Sequence, residues 1–289
     1  MKHRLSFPVR YYECDAYHHV NHANYIRYMG EAAAYAAAQV GYTSQTLAEI
    51  NRVWIAREHQ IEFINPLRTG DIVHIDTWVT DFRRVRSLRC FEIYANDQLA
   101  ARATTDWVFV DTTTGRPTTV PPEMEEAFRA KNYSDDIIFP RDRFPKPAPQ
   151  PEYVGNIHMP VEWRDIDSNQ HVNNAAYFSY HENGIMALCA ELGWTMERMN
   201  DAGFGIIVRK YRIEYREPAV FDDTLICKTW ISDIRRATAV RHYELSRAKD
   251  GAICTRGRAM YVWVDLKTQK PIRIPKHFIA DFSTNQSPE

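Results

Sequence analysis

Between Ala23 and Val40 the chain carries only two charged residues, Arg27 and Glu31. Tyr25, Tyr28, Met29, Ala32, Ala33 and Ala36 keep helical spacing, and Ala34, Ala37 and Ala38 make the other faces small and apolar as well. A helix with so little charge all round is a buried helix. It is predicted to stop at Gly41, and a second helix from Ala175 to Leu192 at Gly193, since glycine is the residue that most easily adopts the left-handed C-terminal cap. After each helix come four runs rich in β-branched and aromatic residues, near 53–64, 71–82, 86–95 and 100–110, then near 205–216, 223–233, 237–247 and 253–264. Pro66 to Asp71, Asn96-Asp97, Thr114-Gly115, Pro218 to Asp223 and Lys249-Asp250-Gly251 separate these runs as turns. A short strand, ending at Tyr12 in one case and at Trp163 to Arg164 in the other, leads through a polar loop into each helix. One strand, one buried helix and four strands with short hairpins make an α+β unit, an antiparallel sheet curled around its helix.

The order occurs twice because the chain is duplicated. Residues 9–93 aligned with 161–245 at a constant offset give 24 identities in 85 positions, where random pairing gives roughly one in twenty. Between the copies, Pro140 to Pro151 reads PRDRFPKPAPQP, and its prolines disfavour helix interiors and central strands. The expected organisation is a first domain at 1–139, a linker at 140–151 and a second domain at 152–289. The tail from Ser283 to Glu289 has no apolar anchor and is expected to fray.

Formal net charge is −1, with 36 Lys plus Arg against 37 Asp plus Glu, so no global field attracts nucleic acid or an anionic membrane. Cys14, Cys90, Cys189, Cys227 and Cys254 form no CxxC pair and are odd in number, which suits a reducing compartment. No apolar run approaches a bilayer span, and MKHRLSFPVRYYE lacks the apolar core of a secretory signal. A cytoplasmic location is expected.

The densest matches lie in the loops before the helices, DAYHHVNHANY and DSNQHVNNAAY, which share Asp, His, Val, Asn and Tyr. The segment VRYYECDAYHHVNHANYIRYMGEAA resembles the 4-hydroxybenzoyl-CoA thioesterase-like family of small acyl-CoA hydrolases. The segment VEWRDIDSNQHVNNAAYFSYHENG resembles the signature of acyl-ACP thioesterases, close to W-x-D-x-D-x-N-Q-H-V-N-N-x-x-Y. The resemblance implies two tandem hotdog units paired as an intramolecular pseudo-dimer. It implies hydrolysis of acyl-ACP or acyl-CoA without metal or redox cofactor, and leaves room for homo-oligomers of such pseudo-dimers. Carried over residue by residue, it gives Asp15, His19 and His22 catalytic roles in the first copy, with Asp167, Asn169 and His171 in the second. Tyr11, Asn21, Tyr25, Asn173 and Tyr177 fall at substrate-side positions. The copies differ: Asn174 stands where the first has His22, and Tyr17 where the second has Asn169. Acyl-ACP thioesterases also carry E-Y-R-R-E in a later strand; here Glu214-Tyr215-Arg216-Glu217-Pro218 keeps E-Y-R and puts Pro218 at the final acid, leaving Glu217 as its nearest substitute.

Thioester hydrolysis needs a polarised carbonyl, an attacking water or carboxylate, and stabilisation of the oxyanion. Amides at the helix N-termini, around Val20 to Asn24 and Val172 to Ala176, are the expected oxyanion donors. Asp15 or Asp167 would be base or nucleophile; Asn169 and His171 would position water. The second copy is the better furnished. Several other readings compete. Asp and His before a helix also serve as caps, and Asn21 and Asn173 fit that part better than catalysis. Asp15, His18, His19 and His22 could together ligate a metal, but only Asp and one His recur. Cys14 is matched by Ile166, a core-facing strand position, and no GxSxG supports a serine nucleophile. A non-catalytic acyl-thioester binding module and a hotdog hydratase or dehydratase are the alternative functions. Arg83, Arg84, Arg86 and Arg89, with Arg235, Arg236 and Arg241, read as a solvated hairpin rim in preference to a phosphate contact. Arg57 and Arg209, with Glu62 and Glu214, are expected to form structural ion pairs.

Overall fold

The computed structural model describes residues 1–288 and divides into two compact units, one up to Arg143 and one from Phe144. In the first unit β1 (His3–Pro8) precedes the long helix α1 (His22–Gln39) and the short α2 (Ser44–Glu49). Four long strands follow, β2 (Arg52–Phe63), β3 (Ile72–Arg83), β4 (Arg86–Ala95) and β5 (Gln98–Asp111), then the two-residue β6 (Arg116–Pro117) and α3 (Pro122–Lys131). The sheet is antiparallel in the order β1-β3-β4-β5-β2, with β6 beside β5. The second unit repeats it: β7 (Ile157–Pro160), α4 (Ala176–Glu191), α5 (Met196–Asp201), β8 (Phe204–Tyr215), β9 (Thr224–Ser232), β10 (Thr238–Arg247), β11 (Ile253–Asp265) and α6 (Lys276–Asp281). Its sheet order is β7-β9-β10-β11-β8. Each unit is a hotdog, a sheet wrapped on a long helix.

Burial follows from the composition of the helices. In α1, Ala23, Tyr25, Ile26, Tyr28, Met29, Ala32 and Ala36 are buried, and the alanines let the backbone approach the sheet at β3. Both helices end as expected on left-handed glycines, Gly41 and Gly193, where the amide of the following residue, Tyr42 or Trp194, returns to a carbonyl five residues back. The strands leading into the loops end sooner than expected. Tyr11–Glu13 and Trp163–Asp165 are single 3-10 turns, so Tyr11, Tyr12 and Trp163 leave the sheet and lie exposed. The second helix also starts later, at Ala176, equivalent to Asn24 in the first.

Each unit is closed by a clamp that sequence patterning did not show. Arg89 and Arg241, equivalent positions on β4 and β10, are buried instead of lying on a solvated rim. Arg89 Nη1 donates to Thr77 Oγ1 (3.2 Å) and Asn132 Oδ1 (2.8 Å); Arg241 Nη1 reaches Thr229 Oγ1 (3.4 Å) and Asn285 Oδ1 (3.5 Å). Both asparagines are fully buried and donate to a strand carbonyl, Thr77 or Thr229, at 2.8 Å. Through Ser287 the tail therefore does not fray as expected, Glu289 lying outside the described residues: Asn285 is locked in, and the Ser287 amide donates to Ile231 O at 2.7 Å. The repeat extends to this segment, since the Ser134 amide likewise donates to Val79 O at 3.1 Å. Within the units Glu62 pairs with Arg102 (2.7 Å) and Glu214 with Arg216 (3.0 Å).

Two helix glycines lie on different faces: Gly184 is buried against the sheet, whereas Gly30, the counterpart of Glu182, looks onto open space. A Cβ on Gly184 in α4 would lie 2.5 Å from Cys227 Sγ, whereas one on Gly30 in α1 would meet nothing within 4 Å. Gly184→Ala should lower stability by about 1–3 kcal/mol through overpacking. Gly30→Ala should raise it by about 0.5–1 kcal/mol, as alanine loses less backbone freedom in a helix. Thermal unfolding of the two variants beside the parent checks both signs.

Candidate active site

Both loops are built alike. The Asp15 amide donates to His19 O (2.8 Å) and the His18 amide to Asp15 O (3.0 Å), closing a turn in which His18 takes a positive φ of 59°. The Asp15 carboxylate accepts from the amides of Tyr17 (2.8 Å) and His19 (3.3 Å) through Oδ1. In the second copy the Asp167 amide donates to His171 O (2.9 Å), Gln170 takes a φ of 62°, and Asp167 Oδ1 accepts from the Asn169 amide at 2.8 Å. An Asx turn of this kind fixes the carboxylate by its own backbone.

Two tyrosines three residues apart on each helix hold these loops in place. The Tyr25 and Tyr177 hydroxyls accept from the Leu67 (3.2 Å) and Ala219 (3.0 Å) amides; the carbonyls of those same residues accept from Val20 (2.8 Å) and Val172 (2.9 Å). Tyr28 donates to Glu13 Oε2 and Tyr180 to Asp165 Oδ2, each at 2.6 Å. Burial, and then the carboxylate beside each, push the Tyr28 and Tyr180 hydroxyls well above the ordinary phenol range. Glu13 and Asp165, which sequence reasoning passed over, thus tie the loop to its helix. Their signal was recurrence at the common offset as acids, together with Tyr28 and Tyr180.

The expected site residues fall into distinct roles. Asn21 Oδ1 accepts from the Ala23 amide (3.0 Å) and Asn173 Oδ1 from the Ala175 amide (2.9 Å), so their side chains cap the helix start. His22 is the first residue of α1 and is half-buried. Tyr25 and Tyr177 are buried anchors, and Tyr11 is 86% exposed. The expected set of free helix-terminal amides is smaller than supposed. Those of Val20, Asn21, Ala23 and Asn24, and of Val172, Asn173, Ala175 and Ala176, are taken up by loop and cap oxygens. The helix dipole still favours negative charge at this end.

The two copies differ in what remains available. His19 is partly buried, its Nε2 has no partner among the described residues, and burial, then Arg68 and His18, lower its pKa to about 4. It is a neutral imidazole at physiological pH. In the second copy Asp167 Oδ2, the exposed side-chain amide of Asn169 and the His171 ring make no hydrogen bond to any described residue. Tyr215, from the E-Y-R segment, donates to Asn174 O at 2.9 Å beside the start of α4, while Glu217 is exposed. Among the described residues no group of three or more His, Cys, Asp or Glu side chains is arranged to hold a metal ion, and no helix is long and apolar enough to cross a membrane.

Comparison with known proteins gives a consistent picture. A sequence model described as the Thioesterase-like superfamily matches residues 9–128 and again 161–282. A chloroplastic palmitoyl-acyl carrier protein thioesterase of Gossypium hirsutum is 24% identical over 275 residues, covering 89% of this chain and 62% of its own length. The chain thus spans less than two thirds of that relative. The acyl-CoA thioester hydrolase YbgC of Escherichia coli is 25% identical over 122 residues, 42% of this chain and 90% of the relative. Among solved structures, a 12:0-ACP thioesterase from Umbellularia californica superposes with a TM-score of 0.73 at 20% identity, covering 90% of this chain and 93% of its own. An acyl-ACP thioesterase from Bacteroides thetaiotaomicron gives 0.70 at 18% identity, covering 90% and 97%. At such identities these structures establish a shared fold.

Two tests follow from the loop's construction. Tyr28→Phe leaves a buried carboxylate oxygen short of a donor and should cost about 1–3 kcal/mol, read from the denaturation midpoint. Three histidines, His19, His59 and His242, are held neutral by burial, with pKa lowered to about 4, 3 and 4. The unfolded chain takes up their protons first, at its ordinary pKa of about 6.5. Stability should be full above that value and fall as pH drops from 6.5 towards 4. A His59→Gln variant should show a shallower fall in melting temperature over that window.

Proposed function

Since the chain belongs to the thioesterase-like superfamily, we propose that it hydrolyses acyl thioesters, carried on acyl-carrier protein or coenzyme A, to the free acid and the carrier thiol. The observation that carries this reading is the state of Asp167. Its backbone and Oδ1 are locked by an Asx turn at the entrance to a buried helix, while Oδ2 makes no hydrogen bond to any described residue. A carboxylate so held is positioned at no further entropic cost when substrate arrives.

In the reaction, water adds to the thioester carbonyl carbon as Asp167 takes its proton, and the tetrahedral oxyanion then expels the carrier thiolate, which is protonated as it leaves. Direct attack by Asp167 on the carbonyl gives a mixed anhydride that water opens to the same products. Asn169 and His171, whose side chains hydrogen-bond to no described residue, are available to orient the water and the carbonyl oxygen. The positive end of the α4 dipole favours the oxyanion. In the first copy, Asp15 Oδ1 accepts from two loop amides, and the neutral His19 accompanies it. We assign the principal turnover to the second unit and place the enzyme in the cytoplasm, where its five free cysteines stay reduced.

Release of free thiol from acyl-CoA and acyl-ACP of graded chain length is the direct test. Asp167→Asn should lower kcat by at least about 100-fold, the size of a lost general base, while Asp15→Asn has the smaller effect. Absence of thiol release from every acyl thioester offered, or equal activity in both variants and the parent, would sink the reading.

A further inference from the structure

At the common offset Asn174 matches His22, yet His22 is the first residue of α1, while Asn174 and Ala175 form a turn ahead of α4. The strands behind these two junctions end in different residues, β2 in Phe63 and β8 in Tyr215. Both rings meet the anchoring tyrosine of their own helix edge-on. The ring of Phe63 lies 5.1 Å from that of Tyr25, and the ring of Tyr215 lies 5.7 Å from that of Tyr177. The two side chains thus occupy one place in the fold, and only Tyr215 brings a hydroxyl to it.

That hydroxyl donates to Asn174 O at 2.9 Å. Burial, and then Tyr177, hold the phenol well above its ordinary range, so the proton it donates is in place at any physiological pH. In a regular helix the carbonyl of Asn174 would accept from the amide four residues on, that of Phe178. The Phe178 amide instead returns to Ala175 O at 3.2 Å, a bond of three-residue span. The N–H of the same peptide unit, on Ala175, donates to Asn173 Oδ1 at 2.9 Å. The peptide between Asn174 and Ala175 is therefore pinned at both ends, outside the helix.

We propose that Tyr215 is a positioning residue of the second site: by drawing the Asn174 carbonyl out of the first helical turn, it keeps Asn174 in the loop with Asp167, Asn169 and His171, as a side-chain amide donor to the thioester oxygen. The first unit lacks the hydroxyl and has wound the equivalent His22 into its helix. A neutral side-chain amide suits a developing oxyanion, since it donates without any change of protonation during turnover. The part played by Asn174 in hydrolysis rests on the function proposed above; the hold of Tyr215 on the helix start does not.

The test combines thiol release by Tyr215→Phe, Asn174→Ala and the double variant with amide hydrogen exchange. Asn174→Ala should lower kcat at least about 100-fold, the loss that goes with one oxyanion donor. Tyr215→Phe should lower kcat at least about tenfold and leave KM within about twofold, because the donor serves the transition state more than binding. The double variant should be no slower than Asn174→Ala, as the hydroxyl acts only through that residue. Losses that multiply in the double variant, or parental kcat in Tyr215→Phe, would overturn the assignment. In Tyr215→Phe the Phe178 amide should exchange at least about fivefold more slowly, since Asn174 O becomes free to accept from it. Phe63→Tyr, the reverse change in the first unit, should speed exchange of the equivalent Ile26 amide by a similar factor, and it carries the test should Tyr215→Phe fold poorly. Unaltered exchange at both amides would equally sink the assignment. A parent inert towards every acyl thioester, with exchange shifted as expected, would count against the hydrolytic reading alone.

Discussion

The site depends on two phenols set three residues apart on one buried helix. A helix brings such positions onto one face, and the sheet wrapped around it leaves the phenols no water to bond. Each hydroxyl must find a partner in the chain, and the partners are the two segments that frame the catalytic-type loop. Tyr25 and Tyr177 hold the turn after the next strand, while Tyr28 and Tyr180 hold the acid just before the loop. The loop is therefore positioned by the hydrogen-bonding needs of the core, and the Asp turn needs only local backbone bonds to complete it.

The large elements were legible in the sequence because their signals are local and repeated. An alanine-rich span with aromatic residues at helical spacing can only be a buried helix, and β-branched runs between Gly, Asp and Pro turns give the strands within a residue or two. That order gave an α+β unit made twice, and the resemblance of the two loop segments to thioesterases implied the tandem hotdog. The less legible parts are set by contacts distant in sequence. Arg89 sits in a run with Arg83, Arg84 and Arg86, so it reads as one more surface charge. Its burial follows from Asn132, more than forty residues on, whose side-chain carbonyl completes a clamp that no window around Arg89 contains. Glu13 was passed over because its partner, Tyr28, is fifteen residues on, in the helix that follows. Within the loops, the Asp, His and Asn positions were legible as a recurring pattern, with Asn21 and Asn173 as caps, but the Asx turn that locks each Asp through its own backbone was not. That depends on backbone geometry such as the left-handed residue at His18 and Gln170.

The two copies share a scaffold and have diverged in how they use it. Position 32 is alanine in one helix and its counterpart, Gly184, is forced to be small by Cys227; Trp54 packs on Phe109 where Ile206 faces Trp263. Buried histidines differ too. His59 lies against Thr105 in the first unit, whereas its counterpart Tyr211 bonds His181, itself bonded to Thr255 and stacked on Tyr243 at 4.6 Å. Such a fully satisfied polar cluster specifies one packing of the second core where the first relies on aliphatic and aromatic fit. Duplication followed by repacking leaves one set of loop anchors and two different interiors.

The asparagine clamp also sets an order of assembly. The guanidinium of Arg89 enters the interior of the first sheet only if Asn132 is present to bond it, yet Asn132 follows every strand of that sheet in the chain. During synthesis, the first sheet must wait for α3 and the residues just after it before its core can close. Until Asn132 has left the ribosome, the first unit holds a sheet whose buried guanidinium lacks its side-chain carbonyl partner.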